Sequence, residues 1–121
     1  MKDFSFDGVL DRKDAKRMDR FVQFAVVATH EALRSAGLGD HRPDPERIGV
    51  IVGSGIGGME TIENQARVLI ERGPSRVSPF TIPSLIANIA SGVVAIEFQA
   101  KSVNFGVVSA CASGSHALGE A

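Results

Sequence analysis

The single cysteine of this 121-residue chain lies where residue types and spacing suit a catalytic nucleophile. Cys111 falls on a predicted turn between the β-rich run 103–109 and the start of a helix near residue 113. Free backbone N–H groups at a helix N-terminus would favour thiolate over thiol there. The small neighbours Ala110 and Ala112 leave room for a substrate and for backbone donors to an oxyanion. The segment therefore predicts nucleophilic catalysis, with an inert, buried cysteine as the alternative.

The three histidines are poorly placed to assist this cysteine. His116 lies five residues after Cys111 and would point about 140° away from it on a regular helix. His30 falls on a predicted amphipathic helix and His41 in a charged loop, where packing and solvation are the ordinary roles. The sequence therefore predicts neither a Cys–His pair nor a metal site within this chain.

A glycine-rich turn at 53–58, with the sequence GSGIGG, is the second candidate motif. It matches the G-x-G-x-x-G pattern of a dinucleotide-binding turn between a strand and a helix. That fold should continue into a second strand ending in an acidic residue about 20 positions later. Glu71 instead falls at a predicted helix end, and a proline-rich loop follows. The pattern favours glycines that permit a tight turn and close backbone packing over a nucleotide site.

A basic face is predicted on the first helix of the chain. Four cationic residues recur three and four positions apart, on a different face from the apolar residues. Such a face is usually solvated, and the alternative is a docking patch for an acidic partner, to which Arg76 would add. The four residues are Lys13, Lys16, Arg17 and Arg20.

The elements that must position these motifs alternate between helix and strand. Asp11 is a predicted N-cap for a first helix that has one buried apolar stripe. Ser84 is a predicted N-cap for a third helix that is apolar nearly all round and is therefore expected to be buried on every side. The alternation predicts an α/β fold with a mostly parallel, covered sheet. Two strands alone make a poor sheet, so further strands are expected outside this chain. Helices are predicted over 11–36, 59–72 and 84–96, strands over 48–52 and 103–109, and loops over 37–47 and 78–83.

Length, charge and cysteine content limit the function classes. A chain of 121 residues with 44% hydrophobic side chains would suffice for one modest core. A net charge of −1 gives no basic field for general nucleic-acid binding. One cysteine excludes an intrachain disulfide framework and a Cys-rich zinc site, and without a leader sequence it suits the reducing cytoplasm.

Charge is distributed unevenly along the chain. Beyond residue 76 the only charged side chains are Glu97, Lys101 and Glu120, and the runs 77–96 and 102–119 carry none. Both runs are long enough to suggest membrane spans, but their prolines, serines, asparagines and histidine argue against a lipid-facing segment. Burial in a larger protein or at a subunit interface is therefore expected.

Four segments together resemble one enzyme family. The chain is similar, over almost every residue, to the N-terminal half of the β-ketoacyl-acyl-carrier-protein synthases, the type II condensing enzymes of fatty acid synthesis. The resemblance implies a thiolase-like layered α-β-α-β-α fold, of which residues 1–121 form a partial N-terminal ketosynthase domain. The segments, in the family's order and spacing, are DRKDAKRMD at 11–19, GSGIGG at 53–58, SPFTIPS at 78–84 and ACASG at 110–114.

The resemblance implies roles for individual residues. Cys111 matches the nucleophile that accepts the acyl chain, and its own backbone N–H matches an oxyanion donor. Ile56 matches a residue that borders the acyl pocket, and Thr81 lies in a loop that reaches this pocket from the dimer partner. Thr81 stands where the family commonly has an aromatic residue, so no chain-length preference is implied. The positions that match the family's docking surface for acyl-carrier protein are Lys13, Lys16, Arg17 and Arg76.

The resemblance also implies a reaction and its partners. An acyl group passes from acyl-carrier protein to cysteine, malonyl-acyl-carrier protein is decarboxylated, and the carbanion forms the new carbon–carbon bond. Substrates are carried on phosphopantetheine, no further cofactor or metal is needed, and strand 103–109 pairs across the two-fold axis of a homodimer. The two histidines and the lysine that manage decarboxylation lie downstream in the family, so this chain alone is expected to be inactive. A nucleotide-binding module and a non-catalytic dimerising fragment stand as the alternatives.

Overall fold

A computed structural model describes residues 3–38 and 43–121 of the chain. Short 3-10 turns lie at Pro45–Arg47, Pro74–Arg76 and Ala110–Ala112. His41 and part of the predicted loop 37–47 lie outside the described residues. The helices are α1 (Arg12–Ala15), α2 (Arg20–Ser35), α3 (Met59–Arg72), α4 (Thr81–Leu85), α5 (Ile89–Phe98) and α6 (Ser113–Glu120), and the strands are β1 (Val50–Gly53) and β2 (Asn104–Val107).

The two strands form a parallel pair between helical layers. Gly53 of β1 is in register with Val107 of β2, one residue after the pair that contains Gly106. Gly106 lies against Asn88, at the start of α5, and Gly53 lies against the first turn of α6. Because successive strand residues face opposite sides, α5 and α6 cover opposite faces of the sheet. The predicted α/β fold with a parallel, covered sheet is confirmed, with strands slightly shorter than expected.

The core lies where α2 packs on α5. Its buried side chains come from the N-terminal segment, from both helices and from α1: Leu10, Ala15, Val26 and Val94. Part of the apolar stripe predicted on α2 is wrong, since Ala32 and Ala36 are exposed. The physical reason is length, because α5 has 10 residues against 16 in α2 and covers only part of it.

The prediction of one continuous helix over 11–36 is wrong, because α1 ends at Ala15 and a separate helix, α2, begins at Arg20. The Asp19 carboxylate accepts a hydrogen bond from the Phe21 N–H at 3.3 Å and so starts a new helix. The Gln23 side-chain amide donates to the carbonyl oxygens of Ala15 at 2.9 Å and Met18 at 3.3 Å. These bonds tie the bend between α1 and α2 to the first turns of α2.

The prediction of a third helix capped by Ser84 is wrong at its start. Two helices, α4 and α5, are separated by extended backbone at Ile86, with ψ 138°. The Ser84 hydroxyl donates to the Arg17 carbonyl at 3.1 Å instead of capping a helix. Towards the end of α5, Ile96 is 80% exposed within this chain, so the described residues do not cover this helix on every side. The predicted helix 59–72 is confirmed at both ends, and Gly73 stops it with φ +81°. In the described residues no helix is both long and apolar enough to cross a membrane.

Candidate active site

Cys111 lies on a sharp turn between β2 and α6. The backbone leaves the strand through Ser109, and Ala110 then adopts the left-handed conformation with φ +49°. Cys111 follows in the 3-10 turn, two residues before Ser113 begins α6, and its side chain is exposed. The predicted strand-turn-helix setting of this residue is therefore present, and the alternative of a buried core cysteine does not fit the described chain.

Side chains on α6 hold this turn from within. The Ser113 hydroxyl accepts a hydrogen bond from the Ser109 N–H at 2.9 Å and donates to the Ala110 carbonyl at 2.7 Å. His116 Nδ1 lies 2.7 Å from the Ser109 hydroxyl, a hydrogen bond that directs the ring at Ser109. The three side chains of Ser109, Ser113 and His116 thus converge on the two residues before Cys111.

The glycine-rich turn packs against the nucleophile turn. A Cβ on Gly53 would overlap the Ser113 backbone carbonyl, and one on Gly55 would lie 3.4 Å from the Ala110 carbonyl oxygen. At these two positions glycine allows two stretches of backbone to approach closely. Ile56, at the tip of the same turn, is 62% exposed.

The far end of the glycine turn is also filled by the chain itself. A Cβ on Gly57, where φ is +86°, would overlap the Leu85 carbonyl oxygen. Gly58 lies beside Asp19, whose carboxylate accepts the Thr61 N–H of α3 at 2.7 Å. A carboxylate at the N-terminus of α3 occupies the position that a nucleotide phosphate would need and repels it. The geometry therefore supports the packing interpretation of these glycines over a nucleotide site.

The loop that precedes α4 is braced by its own hydrogen bonds. The Ser78 N–H donates to the Gln65 side chain at 2.8 Å, and the Thr81 hydroxyl donates to the Ser78 carbonyl at 2.6 Å. Thr81 is half-buried, whereas Phe80 is 55% exposed. These hydrogen bonds hold Thr81 in position at the start of α4.

The basic residues divide into two groups. Lys13, Lys16 and Arg17 are exposed on α1 and the bend that follows it, and Arg76 is exposed in a separate 3-10 turn after α3.

The Arg17 guanidinium lies 5.9 Å from the centre of the Phe80 ring, in cation–π range. A surface cavity of about 200 Å³ between the bend and the loop is lined by Lys16, Arg17, Phe80 and Thr81, among others. Arg20, expected on the same face, lies over Phe24 of its own helix at 5.3 Å.

Comparison with known proteins identifies the family. All of residues 1–121 match the family described as "Beta-ketoacyl synthase, N-terminal domain". The chain belongs to this family. The resemblance carried by the cysteine turn, the glycine turn and the basic bend is confirmed.

Curated relatives of this ketosynthase domain are longer proteins. The chain is 50% identical over 121 residues to a 3-oxoacyl-[acyl-carrier-protein] synthase 2 from Synechocystis and covers 29% of that protein. It is 48% identical to the Staphylococcus aureus protein of the same name and covers 30% of it. The chain thus spans less than a third of the length of these relatives.

Solved structures confirm the ketosynthase fold of the domain. A β-ketoacyl synthase from Burkholderia phymatum is 31% identical, with a TM-score of 0.81 over 98% of this chain and 29% of that one. A type II polyketide ketosynthase in complex with its acyl-carrier protein has a TM-score of 0.91 over 100% of this chain and 35% of that one. Its identity is 22%, so that likeness shows the fold alone. The predicted thiolase-like α/β architecture is therefore correct.

Two residues of this ketosynthase domain lie in the segments that carry the family resemblance, but the sequence predicts no individual role for either of them. Asp19 is only 7% exposed and joins the N-terminus of α2 to that of α3. Ser113 is 3% exposed and ties both residues that precede Cys111. A signal existed for each: Asp19 directly precedes an apolar helical run, and Ser113 follows Ser109 by four positions. Neither pattern reveals the distant or paired contacts that these side chains make.

Proposed function

We propose that the protein is a 3-oxoacyl-[acyl-carrier-protein] synthase that elongates fatty acids, with Cys111 as the residue that carries the growing acyl chain. The observation that supports this most directly is the exposed Cys111 on the tight turn between β2 and α6. The names of relatives that are 48–50% identical over the whole chain point to the same activity.

The proposed first half-reaction is transfer of an acyl group to Cys111. The thiolate attacks the thioester carbonyl of acyl-phosphopantetheine, and the carbonyl oxygen becomes an oxyanion that the Cys111 backbone N–H stabilises. The carbonyl then reforms, the bond to the pantetheine sulfur breaks, and that thiolate leaves and takes up a proton. The acyl group is now a Cys111 thioester.

The proposed second half-reaction forms the carbon–carbon bond. Malonyl-acyl-carrier protein loses carbon dioxide, and the electron pair released forms a carbanion that attacks the acyl-Cys111 carbonyl. The bond to the Cys111 sulfur breaks and the thiolate is regenerated. We assign to this chain only the acyl-accepting part, since residues beyond it in the longer relatives are expected to manage decarboxylation. No bound cofactor is required by this scheme.

The acyl pocket is proposed to involve two residues, Ile56 of the glycine turn and Thr81 at the start of α4. Ile56 is exposed at the tip of that turn, as suits a side chain that closes a pocket completed by other parts of a larger protein. Thr81 begins α4, in the loop proposed to reach the same pocket in a partner subunit of a homodimer. A threonine in this place offers a smaller wall than an aromatic residue.

The proposed partner is acyl-carrier protein, whose acidic surface would meet Lys13, Lys16, Arg17 and Arg76. All four side chains are exposed within the described chain. A ketosynthase of the same fold was solved in complex with its own acyl-carrier protein. Cationic side chains of this kind chiefly steer encounter and fix register. A cytoplasmic location is proposed with this activity, because the exposed thiol must stay reduced.

The proposal is tested by following the mass of the intact protein after incubation with acyl-acyl-carrier protein. The expected result is one added acyl group on the wild type, none on Cys111→Ala, and one on the matched control Ser115→Ala, an exposed residue of α6. Peptide mapping should place the acyl group on Cys111. Acylation of the Cys111→Ala variant, or no acylation of the wild type, would overturn the proposal.

A further inference from the structure

The turn that presents Cys111 holds an unfavourable backbone conformation. Ala110 has φ +49°, one of only two non-glycine residues with positive φ in the described chain. Residues with a Cβ rarely adopt this region, and they keep it only where surrounding contacts impose it. Contacts that hold Ala110 in place are therefore the contacts that determine where Cys111 points.

Ser113 makes the two side-chain contacts that span Ala110. Its hydroxyl accepts the Ser109 N–H at 2.9 Å and donates its proton to the Ala110 carbonyl oxygen at 2.7 Å. The side chain is almost fully buried, at 3% exposure, so water does not compete for these bonds. One buried hydroxyl thus closes the turn on both sides of its unfavourable residue.

The bond to the Ala110 carbonyl also fixes the Cys111 backbone N–H. The Ala110 carbonyl and the Cys111 N–H belong to one planar, trans peptide unit and point in opposite directions. A hydrogen bond that holds the carbonyl oxygen on the Ser113 side therefore aims the Cys111 N–H at the opposite side of the peptide plane. Under the proposed function, that N–H is the donor to the oxyanion.

Two further contacts limit movement of this arrangement. Gly53 allows the Ser113 backbone to lie directly against β1, because any Cβ there would overlap the Ser113 carbonyl. His116 Nδ1 lies 2.7 Å from the Ser109 hydroxyl and holds the first residue of the turn from the exposed side. Ser113 is therefore anchored to the sheet while its hydroxyl holds the turn.

We propose that Ser113 is a positioning residue, whose hydroxyl orients the Ala110–Cys111 peptide so that the Cys111 N–H can stabilise the oxyanion formed during acyl transfer. The inference rests on the proposed function. It assigns to Ser113 a role in the acyl-transfer step that is separate from the nucleophilicity of the Cys111 thiol.

Two reactions of the same sulfur separate this role from a merely structural one. Acylation by a thioester passes through an oxyanion, whereas alkylation by iodoacetamide displaces iodide at a saturated carbon and forms none. Ser113→Ala should slow acylation of Cys111 about 100-fold, the usual effect of losing one oxyanion donor. Alkylation should change by less than about 3-fold, because it depends on the thiolate, whereas the Ser113 hydroxyl bonds described above are to backbone groups of Ser109 and Ala110.

Matched variants complete the test. Ser113→Thr keeps the hydroxyl and should restore most of the acylation rate, and Ser115→Ala, on the exposed side of α6, should leave both rates unchanged. If Ser113→Ala does not fold, the double variant with Ala110→Gly is used. Glycine at position 110 adopts positive φ freely, so the double variant relieves the backbone strain and still lacks the orienting hydrogen bond from residue 113. That double variant should also lose acylation selectively.

The outcomes distinguish the inference from the function on which it rests. Equal losses of acylation and alkylation would overturn the orienting role and make Ser113 a structural residue. An unchanged acylation rate in Ser113→Ala would also overturn it, while the function of Cys111 would stand. A wild type that reacts with iodoacetamide but not with acyl-acyl-carrier protein would instead refute the proposed function.

Discussion

The carboxylate of Asp19 is expected to contribute more to stability than any other helix cap described here. It accepts the Phe21 N–H at 3.3 Å and the Thr61 N–H at 2.7 Å, and the residue is 7% exposed. Asp19→Ala removes the cap of α2, which costs about 1 kcal/mol. It also leaves the Thr61 N–H without its charged acceptor, which costs about 2 kcal/mol. The expected loss in the free energy of unfolding is therefore about 3 kcal/mol.

Asp11→Ala is the matched control, because Asp11 caps the exposed, four-residue α1 through a single bond to the Lys13 N–H at 2.7 Å. Its expected cost is about 0.5–1 kcal/mol. Urea unfolding followed by circular dichroism measures both variants, and hydrogen exchange should show lost protection at the Thr61 amide only for Asp19→Ala. If the two variants were destabilised equally, the claim that one carboxylate caps two helices would be refuted.

Three further outcomes are expected. Lys16→Glu should lower the second-order rate constant for acylation of Cys111 by acyl-acyl-carrier protein about 10-fold at low salt and less at high salt, whereas Arg72→Glu at the end of α3 should not; equal effects would exclude a docking role. Ile56→Phe should lower the second-order rate constant for acylation of Cys111 by long acyl chains about 10-fold relative to short ones, and a uniform decrease would argue against a pocket position. Gly57→Ala should be destabilised by at least about 1 kcal/mol more than Gly73→Ala in urea unfolding, because of steric overlap. Both glycines have positive φ, but a Cβ on Gly57 would overlap the Leu85 carbonyl, whereas Gly73 faces open space.

Local patterns were enough to locate the candidate nucleophile and the elements around it. The β-rich run before Cys111 and the small residues beside it predict a strand-to-helix turn, and Cys111 lies on such a turn. The predicted helix 59–72 agrees with the structure at both ends, since Gly73 and Pro74 are stop signals that follow its last residue. Signals of this kind work because they depend on backbone chemistry within a few residues.

Contacts between distant segments could not be predicted in the same way. A single helix over 11–36 satisfies the apolar spacing, but Asp19 gains a partner in Thr61, 42 positions further along the chain. Similarly, Ser84 is a good N-cap by type, but its hydroxyl bonds to the Arg17 carbonyl. In both cases a tertiary hydrogen bond overrides a local preference, and no pattern within one segment contains that information.

The glycine turn connects the parts of the molecule that the proposed reaction needs. Gly53 contacts the Ser113 backbone beneath the nucleophile, and Gly58 contacts both Asp19, at the basic bend, and Ser84, in the helix α4 that Thr81 begins. Side chains larger than hydrogen at these positions would separate three segments that lie far apart in sequence. The G-x-G-x-x-G spacing therefore reflects close packing of three other segments against the turn, two through their backbone and one through the Asp19 carboxylate. The same spacing in a nucleotide-binding protein leaves one side open for phosphate, which explains why the motif alone could not decide between the two functions.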